Sequence, residues 1–310
     1  MRNIFSLFLL VTSQGSFAQD CTRMVPINVL TYETHQPVSF QPQRLQGTLE
    51  GRPLTISHLE KIKANRILVL VDTSGSMEKK LPFAKAVLQV LIENFPAGSS
   101  VAYGFFGKEQ QLTRGFISDP KQFAKALVEL SLQRAQGRTP LRDALHQGLK
   151  LFKPANPGDS VLLITDGGEN SSELRESATE KELRTSGVRV FAVVPLVAPQ
   201  AITPPEEEFG PQWLTSVAEK TGGRVFAVYH DWPYMDKKWL QPVAAMLQNF
   251  WLNGVAGGYL LNVELPGSLT KTANLKIRID TSGDKHLKDT SVIYPQKLMP
   301  CSSAATAAAH

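Results

Sequence analysis

Asp72, Ser74 and Ser76 stand one residue apart at the end of the apolar run in Leu68-Val-Leu-Val-Asp72-Thr-Ser74-Gly-Ser76-Met77. A carboxylate leaving a buried strand is costly unless something binds it. Two more fragments offer matching atoms. Thr139 lies in Gly137-Arg138-Thr139-Pro140-Leu141-Arg142-Asp143, at the opening of a helical pattern, and Asp166 follows the apolar run that ends Leu163-Ile164-Thr165 and leads into Gly167-Gly168-Glu169-Asn170. The set is two carboxylates and three hydroxyls, with no histidine or cysteine among them. Hard oxygen donors of this kind suit Mg²⁺, with Mn²⁺ or Ca²⁺ as alternatives. The carboxylates neutralise the ion, the hydroxyls fill positions without adding repulsion, and one position is left for a carboxylate from a partner protein.

For these fragments to meet, the chain between them must form an open α/β sheet, because ligands in such sheets bind beyond the carboxyl ends of the strands. Near-continuous apolar runs at Ile67–Asp72, Val101–Phe106, Val161–Thr165, Val188–Val194 and Arg224–Val228 read as strands. They alternate with amphipathic patterns near Leu81–Phe95, Pro120–Arg134, Leu141–Phe152, Glu173–Ser186 and Pro211–Thr221, which read as helices. Strands of that composition belong to a doubly wound, mostly parallel sheet with helices on both faces. On either side the pattern changes. Val25-Pro-Ile-Asn-Val-Leu30 and Leu49-Glu-Gly-Arg-Pro-Leu-Thr-Ile56 before it, and Tyr259–Leu265, Leu275–Ile279 and Ser291–Tyr294 after it, read as short strands.

At 310 residues the chain has room for one large domain and a smaller module. Its formal charge of +5 is dispersed, with basic runs no longer than Lys79-Lys80 and Lys237-Lys238, which argues against nucleic acid as a partner. Arg2, the apolar stretch Ile4–Val11 and the small-x-small site Ser16-Phe17-Ala18 have the form of a secretory signal peptide cut after Ala18. Eight apolar residues are too few for a membrane span, so the mature chain is expected to be secreted or periplasmic with no transmembrane segment. An oxidising compartment permits a disulfide between the only two cysteines, Cys21 and Cys301.

Catalysis is not expected. A phosphatase that uses an aspartate nucleophile after its first strand needs a second aspartate two positions later, where this chain has Ser74. A hydrolase needs the Gly-x-Ser-x-Gly framing and a histidine base, and Ser74-Gly75-Ser76 lacks both. The six histidines are isolated along the chain.

The segment from about Arg66 to Tyr229 resembles a von Willebrand factor type A (VWA) domain with its metal-ion-dependent adhesion site. The family motif is Asp-x-Ser-x-Ser, then a distant threonine, then a distant aspartate in an Asp-Gly turn, and it is matched by Asp72, Ser74, Ser76, Thr139 and Asp166. The resemblance implies that Ser74, Ser76 and Thr139 ligate the metal directly and the aspartates directly or through water. It also implies an unidentified partner protein that supplies an Asp or Glu side chain, in adhesion or assembly. A looser resemblance to secreted bacterial VWA-related proteins extends over the flanks, through His35-Gln36-Pro37-Val38, Glu50-Gly51-Arg52-Pro53, Thr221-Gly222-Gly223-Arg224 and Gly257-Gly258-Tyr259-Leu260.

The expected organisation is a signal peptide over 1–18, a β-rich flank over 19–62, the VWA domain over 63–230, a helix and strand flank over 231–298, and a disordered tail over 299–310. A VWA domain begins and ends on one side of its sheet, so the flanks are expected to pair into one small β-module, bringing Cys21 near Cys301. The alternative function is a structural part of an envelope assembly whose metal only stabilises the fold.

Overall fold

The computed structural model describes residues 21–196, 205–229, 237–265 and 269–300. Strands β1 (Cys21–Thr31), β2 (Leu45–Leu49), β3 (Arg52–Leu54) and β4 (Ile56–Lys61) come first. The alternating part follows: β5 (Arg66–Asp72), α1 (Leu81–Glu93), β6 (Ser100–Phe106), β7 (Gln111–Leu112), α2 (Pro120–Phe123), α3 (Lys125–Leu132) and α4 (Leu141–Leu149). It continues through β8 (Ser160–Ile164), α5 (Glu176–Ser186), β9 (Arg189–Leu196), α6 (Pro205–Thr221), β10 (Val225–Tyr229) and α7 (Lys237–Asn249). The chain then passes through a π-helical turn, Phe250–Val255, to β11 (Tyr259–Leu265), β12 (Ala273–Ile279), β13 (Thr290–Ile293) and β14 (Lys297–Leu298).

The central sheet has the order β10-β9-β8-β5-β6-β7 and is parallel except for β7. In β5, Ile67, Val69 and Val71 pack into the layer of α1, α3 and α7, while Leu68 and Leu70 pack against α4 and its neighbours. Burial on both faces is why this strand reads as an unbroken apolar run. The first strand, β5, lies in the middle of the sheet, so the order reverses there and opens a crevice beyond its carboxyl end.

The flanks form two further four-stranded sheets, β13-β1-β11-β4 and β14-β12-β2-β3. Each mixes strands from both ends of the chain: β1 pairs antiparallel with β11 and β13, and β2 pairs antiparallel with β12. Alternate residues Val25, Ile27 and Val29 of β1, Leu261, Val263 and Leu265 of β11, and Leu275 and Ile277 of β12 meet in a separate apolar core between the sheets. Within the flanks only β2 with β3 and β12 with β14 pair directly, so neither flank alone makes a sheet wide enough to bury such a core. The α/β domain is therefore inserted into a β-module that both flanks build. The β2–β3 hairpin turns at Glu50 and Gly51, with φ of 49° and 80°, where a left-handed backbone favours glycine.

Several details differ from the sequence reading. Helix α7 and the turn after it, assigned there to the C-terminal flank, pack on the α/β sheet: Leu247 of α7 and Phe250 and Trp251 of the turn join the core of α1, and the Trp251 indole donates to the Asn94 carbonyl at 2.9 Å. Helix α6 begins at Pro205, so Pro211 lies inside it rather than at its start. The pattern Pro120–Arg134 resolves into α2 and α3, which meet at Ala124. The two-residue strands β7 and β14 are too short to leave a sequence pattern. The signal peptide, the tail beyond Pro300 and Cys301 lie outside the described residues, and with Cys301 so does the Cys21–Cys301 disulfide. Among the described residues no helix is long and apolar enough to cross a membrane.

His35 joins the two units. It is 5 % exposed, its ring lies 5.6 Å from Phe226 and 5.4 Å from Phe250, and its Nδ1 has no hydrogen-bond partner. Burial, with a smaller contribution from Arg224, lowers its pKa from 6.5 to about 4. The unfolded chain therefore takes up a proton between those values that the folded chain excludes. Stability is full well above pH 6.5 and is lost progressively as the pH drops toward 4. His35→Asn stays neutral and tolerates the left-handed backbone at this position, φ 53°. Urea unfolding between pH 7 and pH 4 is expected to show a shallower loss in His35→Asn than in the wild type. Parallel profiles would refute the assignment.

Candidate metal centre

Asp72 ends β5, wholly buried. The chain leaves it in a tight turn: the Ser74 backbone N–H donates to Asp72 Oδ1 at 2.8 Å, and a short 3₁₀ turn, Gly75–Met77, follows. The Ser74 and Ser76 hydroxyls share a hydrogen bond of 3.2 Å. One residue beyond β8, the Thr165 hydroxyl donates to Asp72 Oδ2 at 2.7 Å, which joins the two strand ends. Asp166 follows. Its Oδ1 accepts the Gly168 N–H at 3.1 Å, and its Oδ2 accepts Lys80 Nζ at 2.7 Å.

Thr139 immediately precedes α4, whose N-cap position is held by Pro140, so it lies beside the cap. Its backbone is held instead by Asn170: the Thr139 N–H donates to Asn170 Oδ1 at 2.8 Å, and the Asn170 N–H donates to the Thr139 carbonyl at 3.2 Å. The first turn of α4 is capped from outside, where Glu169 Oε2 accepts the Arg142 N–H at 2.9 Å. Without a polar cap residue these N–H groups would otherwise be unsatisfied.

The donors converge at Gly168. A Cβ built on this residue would stand 3.3 Å from Asp166 Oδ1, 3.7 Å from Thr139 Oγ and 4.0 Å from Ser76 Oγ. Three of the five oxygen-bearing residues thus surround one point, and Ser74 and Asp72 adjoin it through the contacts above. Of the five, Ser76 alone is more than a few per cent exposed; Asp72, Ser74, Thr139 and Asp166 are buried at 0, 1, 2 and 2 %. The cluster is a pit with Ser76 at its mouth.

Two buried carboxylates close together oppose ionisation. Burial first, and then the charge of Asp166, push the Asp72 carboxyl well above its ordinary range, while Thr165 and Ser74 pull it back. A divalent cation would relieve this repulsion, and the oxygen donors fit Mg²⁺ or Mn²⁺. Among the described residues there is no group of three or more His, Cys, Asp or Glu suited to a metal. The candidate centre depends on hydroxyls as much as on carboxylates.

Sequence reasoning misses the supporting residues. Thr165, Asn170, Glu169 and Lys80 orient the predicted five, and their signal is only local: Thr165 adjoins Asp166, Asn170 follows it by four positions, and Lys80 follows Ser76 by four. A long-range bond such as Thr165 to Asp72 has no sequence signature.

A family model described as "VWA domain containing CoxE-like protein" matches residues 45–205. Among solved structures, an aerotolerance-related membrane protein from Bacteroides fragilis is 18 % identical, covers 60 % of this chain and 98 % of its own, and superposes with a TM-score of 0.43. A von Willebrand factor type A protein from Catenulispora acidiphila is 14 % identical over 92 % of this chain and 74 % of its own, at 0.47. The manganese-loaded TRAP protein of Plasmodium vivax is 18 % identical over 79 % of this chain and 98 % of its own, at 0.44. No curated protein matches the chain.

Proposed function

The chain belongs to the VWA domain containing CoxE-like family, and from that premise we propose that it is an exported, non-catalytic module that binds a partner protein through a divalent metal. Mg²⁺ is the resident ion in this reading. The observation that carries it is the meeting of Asp166, Thr139 and Ser76 oxygens within 4.0 Å of one point at Gly168, beside the Ser74 and Asp72 turn. Asp72 and Asp166 supply the charge, and Ser74, Ser76 and Thr139 supply neutral oxygens. Their balance leaves the ion electrophilic toward an incoming Asp or Glu carboxylate, because neutral ligands do not cancel its charge. Residues 1–18 support export by composition alone.

The experiment is capture from periplasmic and extracellular fractions with Mg²⁺, with chelator, and with Asp72→Asn as the bait. A partner retained only by the wild type and only with metal supports the reading. Retention that ignores both chelator and substitution refutes it.

Thr139 separates metal binding from partner binding. It is buried at 2 %, and its backbone, not its hydroxyl, carries the contacts to Asn170. A neutral hydroxyl contributes less to holding a divalent cation than either carboxylate does. Thr139→Ala is therefore expected to weaken Mg²⁺ binding by only a few-fold and partner capture by about tenfold or more, roughly 1.4 kcal/mol. Equal losses in the two titrations would show that Thr139 has no special part in ligand recognition.

A further inference from the structure

We infer that the partner presents a second acidic side chain beside the one that reaches the metal, and that Lys108 and Arg138 receive it. The inference rests on the metal-dependent reading above and extends it to the rim of the same site.

Two loops that carry the site, those of Ser74 and Thr139, are joined with the loop at Lys108 by backbone hydrogen bonds. The Gly75 N–H donates to the Gly137 carbonyl at 3.0 Å, the Gln136 N–H to the Thr73 carbonyl at 3.0 Å, and the Lys108 N–H to the Gln136 carbonyl at 3.1 Å. The fit is tight: Gly137 has φ of 81°, and a Cβ there would stand 2.8 Å from Lys108 Cα. Lys108 is thereby fixed against the loop that ends in Thr139, and Arg138 is the residue just before that threonine. Both side chains are exposed, as is Arg134 on the same loop.

Their pairing differs from that of the cations deeper in the site. Lys80 reaches Asp166 at 2.7 Å, and Arg142 lies 3.7 Å from Glu169. Lys108, Arg134 and Arg138 have no ion-pair partner among the described residues, although Glu109 is adjacent to Lys108 in sequence. The 107–108 and 134–138 loops therefore give the pit a basic border next to Thr139. A carboxylate entering at Ser76 passes that border, and a neighbouring acid on the same segment would meet it. Such pairs on an exposed rim favour encounter and selectivity, and they are weakened by salt. The partner segment this fits is one with two acidic side chains a few residues apart.

The test uses the full mature chain and fluorescent capped peptides with the pattern Glu-(Gly)n-Glu, n from none to three, against Gln-(Gly)n-Glu controls. Mg²⁺ binding to the protein is first measured by calorimetry. With Mg²⁺ present, at least one two-acid spacing is expected to bind about fivefold or more tightly than its control. The double variant Lys108→Ala with Arg138→Ala is expected to erase that preference and leave the Mg²⁺ titration unchanged. Bound Mg²⁺ with equal affinity for both peptide classes, or with no peptide binding, overturns the inference and not the metal reading. A preference that survives in the double variant, or in chelator, also overturns it. Failure to bind Mg²⁺ at all would defeat the metal reading, and the inference with it.

Discussion

Asp72→Ala is expected to abolish the proposed divalent-metal binding, lowering Mg²⁺ or Mn²⁺ affinity in calorimetry by about a hundredfold or more, some 2.7 kcal/mol. The loss is this large because Asp72 supplies one of only two carboxylates at a site otherwise made of hydroxyls. It is also fully buried, where solvent screens its charge least. Removing Asp72 has a second consequence, since the Ser74 N–H and the Thr165 hydroxyl lose their acceptor. That costs about 1–3 kcal/mol per unsatisfied group, partly offset by the removal of a desolvated charge. Asp72→Asn keeps the shape while removing the charge: its Oδ1 still accepts the Ser74 N–H, and its amide NH₂ takes the place of the second oxygen and can donate to the Thr165 hydroxyl. It is expected to lose metal affinity with little change in stability, which distinguishes a lost ligand from a collapsed turn. Unchanged affinity in the asparagine variant would eliminate Asp72 as a metal residue.

Wherever the physical cause is local, the sequence is informative. The run Ile67–Asp72 is apolar throughout because both of its faces are buried, and its end at Asp72 can be read from the residue types alone. Asp72, Ser74, Ser76, Thr139 and Asp166 are drawn together at the carboxyl ends of β5 and β8 and the start of α4, as their order along an α/β chain implies. The flank strands show their period of two, and the shared module follows from where the α/β domain begins and ends.

Legibility fails where a residue is selected by a distant neighbour. Helix α7 and the π-helical turn after it look like part of the flank by position, yet Phe250 and Trp251 of that turn are required by the core of α1 and β9. Pro211 looks like a helix start because proline suits the first turn, but Gly210 and Pro211 sit inside α6 against Gly167. A Cβ on Gly210 would come within 1.9 Å of the Gly167 carbonyl, so the site loop and α6 are fitted to each other. His35 is one of six histidines that look alike in sequence. Only the fold shows it enclosed by Phe226 and Phe250 without a partner for Nδ1.

Arg189 is the strongest such case, and it supports the second large prediction: Arg189→Met destabilises the protein by about 3–5 kcal/mol. Arg189 opens β9 at the end of the sheet opposite the metal residues, and it is fully buried. Its Nη1 donates to Asn28 Oδ1 at 3.0 Å and to the carbonyls of Gly254 and Gly257 at 3.3 and 3.4 Å. Its Nη2 donates to the carbonyls of Gly158 and Val255 at 3.0 and 2.9 Å. One guanidinium thus joins β1 of the flank module, the end of the π-helical turn and the loop before β8. The turn's final carbonyls have no partner within the helix, and a cation at a helix C-terminus suits them. Burial lowers the arginine's pKa to about 9, with Asp159 opposing the shift, so holding this cation in place is itself costly. Methionine replaces the aliphatic stem but stops short of the guanidinium position and brings no donors. Asn28, Asn65 and Ser160 still reach several of the same carbonyls, which keeps the loss below the sum of the broken bonds. Arg189→Lys is expected to recover little, because one ammonium cannot serve both sets of acceptors. The loss should appear as a fall of about 10 °C in melting temperature. Mg²⁺ affinity of the folded fraction should be unchanged, since the substitution lies at the far end of the sheet. A loss under about 1 kcal/mol would mean that Asn28, Asn65 and Ser160 hold the two units together without the arginine.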